Sequence, residues 1–574
     1  MIFTPITIHF KHRLLSILIL FSVFASFVLS SCKGCGSPPP TPHKLEMERL
    51  KQELKKQKST PVRKKLNLKK DKYDEQTVVT AIPYMPLHLN PFLQIDEWGY
   101  RISMNNIYEA LVKRDPSTGK IISDLATSWD VSPNGKIYYF NLRKGVRWQD
   151  GRPFSSEDVR FTFALLTMPK LKKGSFISDI NYSLARIDKL GNYGIRITLT
   201  EPNIYFMQLL SELPILPAHK FYRGVKTTGY ASLHPVGTGP YRLYDIIPGD
   251  SIILERNEYY WGKTPYVQRI VFKKIPDPSK VLVGIRRKKI DIIPKMSPIH
   301  YPEQITQSIA KDYRLYRFVP PIFTYMVWNT RSSMLKDFRV RRALTMLINT
   351  DSIIKTVFKN LAVPCYGPYW RPSGLGDHKL KRWPYDPQKA KELLDEAGWQ
   401  DHDGDGIRDY KGKPMNIVVL MPVDARQGRL VLENIKHTYF SAGIKLTIVP
   451  TDWKLLAKHL RKRRFSAAFL TWRGRPYEDF SPLFHSAGKY NYGLVYNNLI
   501  DKLLSSMRRS RSLKNLKTAS AKLEDMLNVY LPIAFLYRPV WMSVVHRRFA
   551  NVYSGFNGFN YSTFTKNKNY KSKK

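Results

Sequence analysis

From Thr77 to the C-terminus the chain alternates between two hydrophobic periods, and this limits its fold more than any other feature. A period of two demands a sheet face and a period of 3.6 a helix stripe, so their alternation predicts an α/β protein. Two segments carry the signal clearly. In the first, Pro133-Asn134-Gly135 turns the chain into a strand over Ile137–Leu142. A turn at Asp150-Gly151 and then Pro153 precede a helix start, where Ser155 caps free amides and Asp158 favours the same end through the helix dipole. In the second, Asp386 caps a helix, Pro387 takes its first position and Gly398 ends it, with Ala390, Leu393, Leu394 and Ala397 on one face. A chain of 574 residues exceeds what one core holds, since single cores stop growing near about 250–300 residues. Two or more lobes are expected. Three cysteines cannot build a disulfide framework, so packing must supply the stability.

Ahead of this body, Lys11, His12 and Arg13 precede a mostly apolar run, Leu14 to Leu29. The run falls short of the about 20 residues a spanning helix needs and reads as a secretory signal, with an uncleaved signal anchor as the alternative. It ends Leu29-Ser30-Ser31-Cys32, which resembles the lipobox of bacterial lipoproteins and implies cleavage before a diacylglyceryl-modified Cys32. Cys32 and Cys35 also spell a redox motif, but no βαβ pattern surrounds them. From Lys33 to Gln76, glycines, Pro38-Pro39-Pro40 and a Lys/Glu-rich stretch read as a tether holding a folded body off a membrane.

Within the body, Leu125-Ala126-Thr127-Ser128-Trp129, Asn141 through Phe154, and Asp158-Val159 resemble the signature of family 5 bacterial extracellular solute-binding proteins, the peptide- and nickel-type receptors of ABC importers. Further matches follow in the family's order: Pro235 through Tyr241, Arg256-Asn257 with Tyr260-Trp261-Gly262, Asn329-Thr330, and Arg339 through Leu344. Then come Tyr385-Asp386-Pro387, Ala397-Gly398-Trp399, Asn491-Tyr492, Asp501 through Leu504, and Leu531-Pro532. The resemblance spans roughly 77–560. It implies an α/β, periplasmic-binding-protein type II-like fold: two lobes with a hinge, plus an inserted third domain. Mapped by motif, 1–31 is a signal peptide and 32–76 the lipidated N-terminus and tether. Lobe I takes 77–113, 235–317 and 540–574, the insert 114–234, and lobe II 318–539.

The resemblance also implies a ligand buried between the lobes, against aromatic side chains. Peptide-binding members carry a Trp followed three residues later by an Asp that pairs with the peptide's α-ammonium; here Trp472 is present but Arg475 takes the acidic place. A guanidinium there repels an amine and suits a carboxylate or phosphate. Either Asp479 takes over from a shifted loop, or the ligand is not held by a free N-terminus. Arg473 and Arg475 read equally as solvated loop charges, and Trp472 as a core residue. Tyr84 and Met85 after the first strand, Tyr325, Trp328 and Asn329 near the start of lobe II, and Tyr490 and Asn491 are the other cleft candidates, with core packing as the competing reading for each.

Asp401, Asp403, Asp405 and Asp409 fall at calcium-loop positions, but Gly412 stands where a bidentate Glu is needed, so a surface turn is favoured and no metal is expected. Trp261-Gly262-Lys263-Thr264 lacks the first glycine of a phosphate loop. No pattern singles out a catalytic set, so neither an enzyme nor a cofactor is expected. The formal net charge of +47 raises polyanion binding as the alternative function, but its Lys/Arg runs are scattered rather than gathered in one stripe. Residues 1–76 account for 15 basic and 6 acidic side chains, which leaves most of the excess on the body. The sequence therefore reads as a monomeric, lipid-anchored receptor on the periplasmic face of a membrane or at the cell surface. It would deliver a peptide or similar, even anionic, solute to ABC permease subunits without binding specific nucleic acid.

Overall fold

The computed structural model describes residues 75–570 apart from 94–95, 105, 116–118, 168–183, 222–229, 298–302, 306, 378, 381–382 and 556–557. The signal segment, Cys32, Cys35 and the tether up to residue 74 lie outside the described residues.

Two sheets organise the body. The first has seven strands, in the order Tyr313–Phe318, Trp541–His546, Ile292–Ile293, Thr77–Ile82, Arg269–Lys274, Ser251–Arg256 and Tyr241–Ile247. Thr77–Ile82 runs parallel to Arg269–Lys274, and all six of its residues are buried, as expected of a strand covered on both faces. The second has six strands, in the order Ala362–Pro364, Ile533–Pro539, Ile322–Trp328, Ala467–Arg473, Asn416–Pro422 and Lys445–Thr451. Its Asn416–Pro422 and Lys445–Thr451 are parallel, and the helix Arg426–Phe440 makes the crossover between them. A third, antiparallel sheet orders Ala126–Val131, Ile137–Leu142, Gly194–Leu199 and Leu184–Lys189. The chain passes from the first sheet to the second between Phe318 and Ile322, and returns between Pro539 and Trp541.

The signature motifs are fastened to one another. Asp158 completes the capping box with Ser155 and also accepts hydrogen bonds from Trp148 Nε1 at 3.3 Å and Ala218 N at 2.9 Å. Gln149 donates to the Tyr241 carbonyl at 2.7 Å and accepts from Gly237 N at 3.0 Å, while Asn257 donates to the Gly239 carbonyl at 2.8 Å. Arg341 donates to four carbonyls, those of Leu335, Lys336, Tyr530 and Leu531. Asp386 accepts from Lys389 N at 2.9 Å, and Gly398 adopts φ +82°, the left-handed residue after the helix.

A Cβ on Gly237 would lie 1.7 Å from the Ile107 carbonyl oxygen, so backbone must move to admit any side chain. Gly237→Ala is expected to cost roughly 3 kcal/mol or more, read as a lowered urea midpoint. Acid sensitivity has a separate source in His546. It is buried edge-on against Tyr313 at 4.7 Å and accepts from Arg548 N through Nδ1 at 3.1 Å, with Asp291, Arg548, Asp312 and Lys288 nearby. Burial pushes its imidazole down to about 4 from 6.5. The unfolded chain therefore takes up this proton first: stability is intact above pH 6.5 and is lost as pH falls toward 4. Between pH 7.5 and 5 this group should cost about 2 kcal/mol, and His546→Gln should flatten that part of the pH–stability profile.

Candidate functional site

The strand Ala467–Arg473 ends beside the first crossing, where Gly474 N donates to the Pro321 carbonyl at 2.9 Å. The loop that follows meets residues outside the second sheet. Arg473 Nη1 lies 3.0 Å from Glu97 Oε2, on the helix Glu97–Ser103 that follows the first strand. Arg475 Nε donates to Glu212 Oε2 at 2.8 Å, its guanidinium lies 3.6 Å from Glu478, and its backbone N donates to Glu478 at 2.6 Å. Arg475, Glu212 and Glu478 are all about nine-tenths shielded from solvent. Tyr100 faces this group; burial and then Glu212 push its phenol well up. Arg114, hydrogen-bonded to Gln208, stacks over Tyr477 at 5.4 Å.

Around Glu97 the balance of charge reverses. Arg101 Nη2 lies 3.0 Å from its Oε1, and Lys295 adds a third cation. Burial raises the Glu97 carboxyl, but Arg101, Lys295 and Arg473 together hold it below its ordinary value. Trp541, the first residue past the second crossing, lies under Arg101 at 4.8 Å and Lys295 at 4.9 Å. Tyr84 is exposed beside Asp96, Glu97 and Arg473, which perturb its phenol after burial itself. Met85 packs partly buried on the first core.

The sequence-derived candidates separate into cleft and core. Trp472 is half-buried, edge-on to Tyr490 at 5.7 Å, and its buried indole Nε1 has no hydrogen-bond partner among the described residues. Tyr325, Tyr490 and Asn491 border one narrow cavity with Leu483, Phe484 and Pro532. Trp328, by contrast, is fully buried among residues of the opposite sheet face, because positions 325 and 328 differ in strand parity. Asn329 donates to the Arg463 and Phe465 carbonyls, and Asn491 holds His485 and Val495 through three bonds. Trp328 thus packs in the core while Asn329 and Asn491 hold turns, and Asn491 also borders the cavity.

Asp479 is engaged by its own neighbours. Arg508 Nη2 holds it at 2.5 Å and Ser481 donates to it twice. Arg475 is itself enclosed by two carboxylates. In the acidic loop, ligand oxygens of Asp401, Asp403 and Asp405 gather within 4.8 Å, but Asp401 accepts turn amides from Gly404 and Gly406, and Asp409 turns away to His402. Sequence reasoning missed Glu97, Tyr100, Arg101, Glu212, Lys295 and Trp541. None lies in a spaced motif; Glu97 and Tyr100, one turn apart after a strand, were the one available hint.

Because Arg475 pairs with both Glu212 and Glu478, Arg475→Met is expected to cost about 3 kcal/mol in urea unfolding, and Arg475→Asp more, since it would gather three carboxylates. The latter variant should gain no affinity for free-amine peptides, measured by calorimetry.

Comparison with known proteins fits this geometry. Residues 120–493 match the middle region of the bacterial extracellular solute-binding proteins, family 5. The nickel-binding periplasmic protein of Escherichia coli K12 is 28% identical over 485 residues, covering 80% of this chain and 89% of its own. Oligopeptide-binding protein AppA of Bacillus subtilis is 26% identical over 457 residues, covering 76% and 81%. Among solved structures, NikA from Brucella suis in complex with Fe(III)-EDTA superposes with a TM-score of 0.76 at 22% identity, covering 86% of this chain and 100% of its own. AppA from Bacillus subtilis in complex with a nonapeptide gives 0.72 at 22% identity, covering 86% and 99%. With two sheets joined by two crossings among the described residues and a profile match over most of its length, this chain belongs to the family 5 bacterial extracellular solute-binding proteins.

Proposed function

We propose that this protein captures a solute between its two lobes and delivers it to the permease of an ABC importer. The observation that carries this reading is the ion pair from Arg473 to Glu97, which joins the end of a strand in one sheet to a helix of the other. A contact between lobes that is partly open to water can form and break as the lobes close and part. The solute class is a peptide or a small anionic compound; the relatives are named for nickel, oligopeptides and dipeptides. Tyr84, Met85, Trp472, Arg473 and Tyr490 supply the cleft wall, with Trp472 offering the open part of its half-buried ring. Lobe I would comprise 77–113, 235–317 and 540–574, the insert 114–234, and lobe II 318–539. Cys32 carries the lipid that holds this monomer outside the cytoplasmic membrane. No helix among the described residues is long and apolar enough to cross a membrane.

Native mass spectrometry of the purified protein should reveal one small molecule per chain, released on denaturation. Trp472→Ala should weaken its recapture by about tenfold or more. A protein that carries nothing and takes up no peptide would overturn the receptor reading.

A further inference from the structure

Glu97 sits among more positive charge than it can neutralise. Arg101 and Arg473 each hold one of its oxygens at 3.0 Å. Lys295 has no carboxylate within 4.0 Å among the described residues; it lies over the ring of Trp541 at 4.9 Å and feels Glu97 from farther than an ion pair. The three cations also repel one another: Arg473 and Arg101 both act to lower the Lys295 ammonium, after desolvation and against Glu97. Lys295 is open to water, yet surrounded by enough protein for desolvation to be felt. Both hold for a side chain lining a cleft. Arg473 is likewise 57% exposed, whereas Arg101 is 8% exposed, sandwiched against Trp98 and Trp541. The arrangement is a fixed guanidinium behind two accessible cations, on an aromatic floor, beside the second crossing.

Gathering three cations around one carboxylate in a partly desolvated place is unfavourable unless something else supplies negative charge. The Arg475 group, on the same loop, is matched internally: Glu212 and Glu478 face Arg475, and Arg114 also feels Glu212. The loop thus divides the cleft into an internally matched end and an end with positive charge in excess.

We infer that Lys295 and Arg473, backed by Arg101, form a subsite for a carboxylate of the captured solute. This rests on the receptor reading above and names the charge of what it takes. An incoming carboxylate bridges Lys295 and Arg473 by charge-assisted hydrogen bonds, completing the pairing that Glu97 alone leaves short. It also ties a residue of one sheet's border to the end of a strand in the other, so solute binding favours the closed arrangement.

The test is calorimetry on the solute-stripped protein with alanine peptides of two to five residues, each as the free acid and as the C-terminal amide. The acid is expected to bind about tenfold tighter than the amide of the same length, and Lys295→Gln should remove most of that difference while changing amide affinity by less than about threefold. Lys295→Arg should restore it, which a merely structural lysine would not predict. Equal affinity for acid and amide, or a difference untouched by both Lys295→Gln and Arg473→Gln, overturns the subsite and leaves the receptor reading standing. Binding of neither form at any length overturns the peptide-receptor reading and the subsite with it.

Discussion

The cleft depends on how the chain is held where it passes between the sheets. Among the described residues there are two such passages, Val319-Pro320-Pro321 and Val540, and both are pinned from the second lobe's side. Trp370 Nε1 donates to the Val319 carbonyl at 2.7 Å, Gly474 N to the Pro321 carbonyl at 2.9 Å, and Val540 N to the Leu361 carbonyl at 2.9 Å. Behind them Arg538, almost wholly buried, donates to the carbonyls of Gly367, Pro368 and Tyr369 at 2.7–2.9 Å. A buried guanidinium satisfied by carbonyls keeps its charge solvated without a counter-ion. Two prolines shorten the list of conformations the first passage can adopt. Bending is thereby concentrated at few torsions, and the loop from Arg473 to Phe480 is rooted at that pivot.

The basic excess takes a particular form in this setting. With 93 Lys and Arg against 46 Asp and Glu, the cations cannot all find carboxylates. The buried arginines resolve this by bonding backbone: Arg341 with four carbonyls, Arg538 with three at close range, and Arg408 with those of Trp399 and Ala442 as well as Asp395. Such arginines staple loops together at no cost in paired acids. Around Glu97 a part of the excess is left in which three cations share one carboxylate. A uniformly cationic surface and a selective cationic subsite are thus different consequences of one composition.

Much of the fold was legible because its signals are local. Asp386, Pro387 and Gly398 mark a helix within a dozen residues, and the structure places Pro387–Glu396 between them. The signature residues Gln149, Gly237 and Asn257 were visible as a pattern, yet their purpose was not: Gln149 bonds the backbone of Gly237 and Tyr241, 88 and 92 residues away, and Asn257 that of Gly239. The site was less legible. Arg475 was conspicuous as a departure, but its partner Glu212 is 263 residues away, and no period in the sequence announces that pairing. Tyr325 and Trp328 looked alike as aromatics on one strand; parity alone sends them to opposite faces, one toward Phe323 and Phe480, the other into the opposite core. Local chemistry fixes elements, while charge pairing between lobes is set by topology.

That pairing bears on how closure can be reversible. Tyr205, reached through the insert, is buried within the second lobe's core, Ile204 N donates to the Arg508 carbonyl at 3.0 Å, and Arg509 meets Glu201 at 2.9 Å. The insert therefore grips the second lobe through apolar burial as well as ion pairs. If these contacts outweighed the rest, the closed arrangement would persist without solute and capture would fail. Opposing them is the crowding of Arg101 and Lys295 with Arg473, which closure would bring up to Glu97 from the other sheet. A few kcal/mol of like-charge repulsion is the scale at which a ligand's own charge can decide a two-state equilibrium. The apolar grip and the cationic crowding then act in opposition across the same cleft, and an incoming carboxylate shifts the equilibrium by removing the crowding while leaving the grip intact.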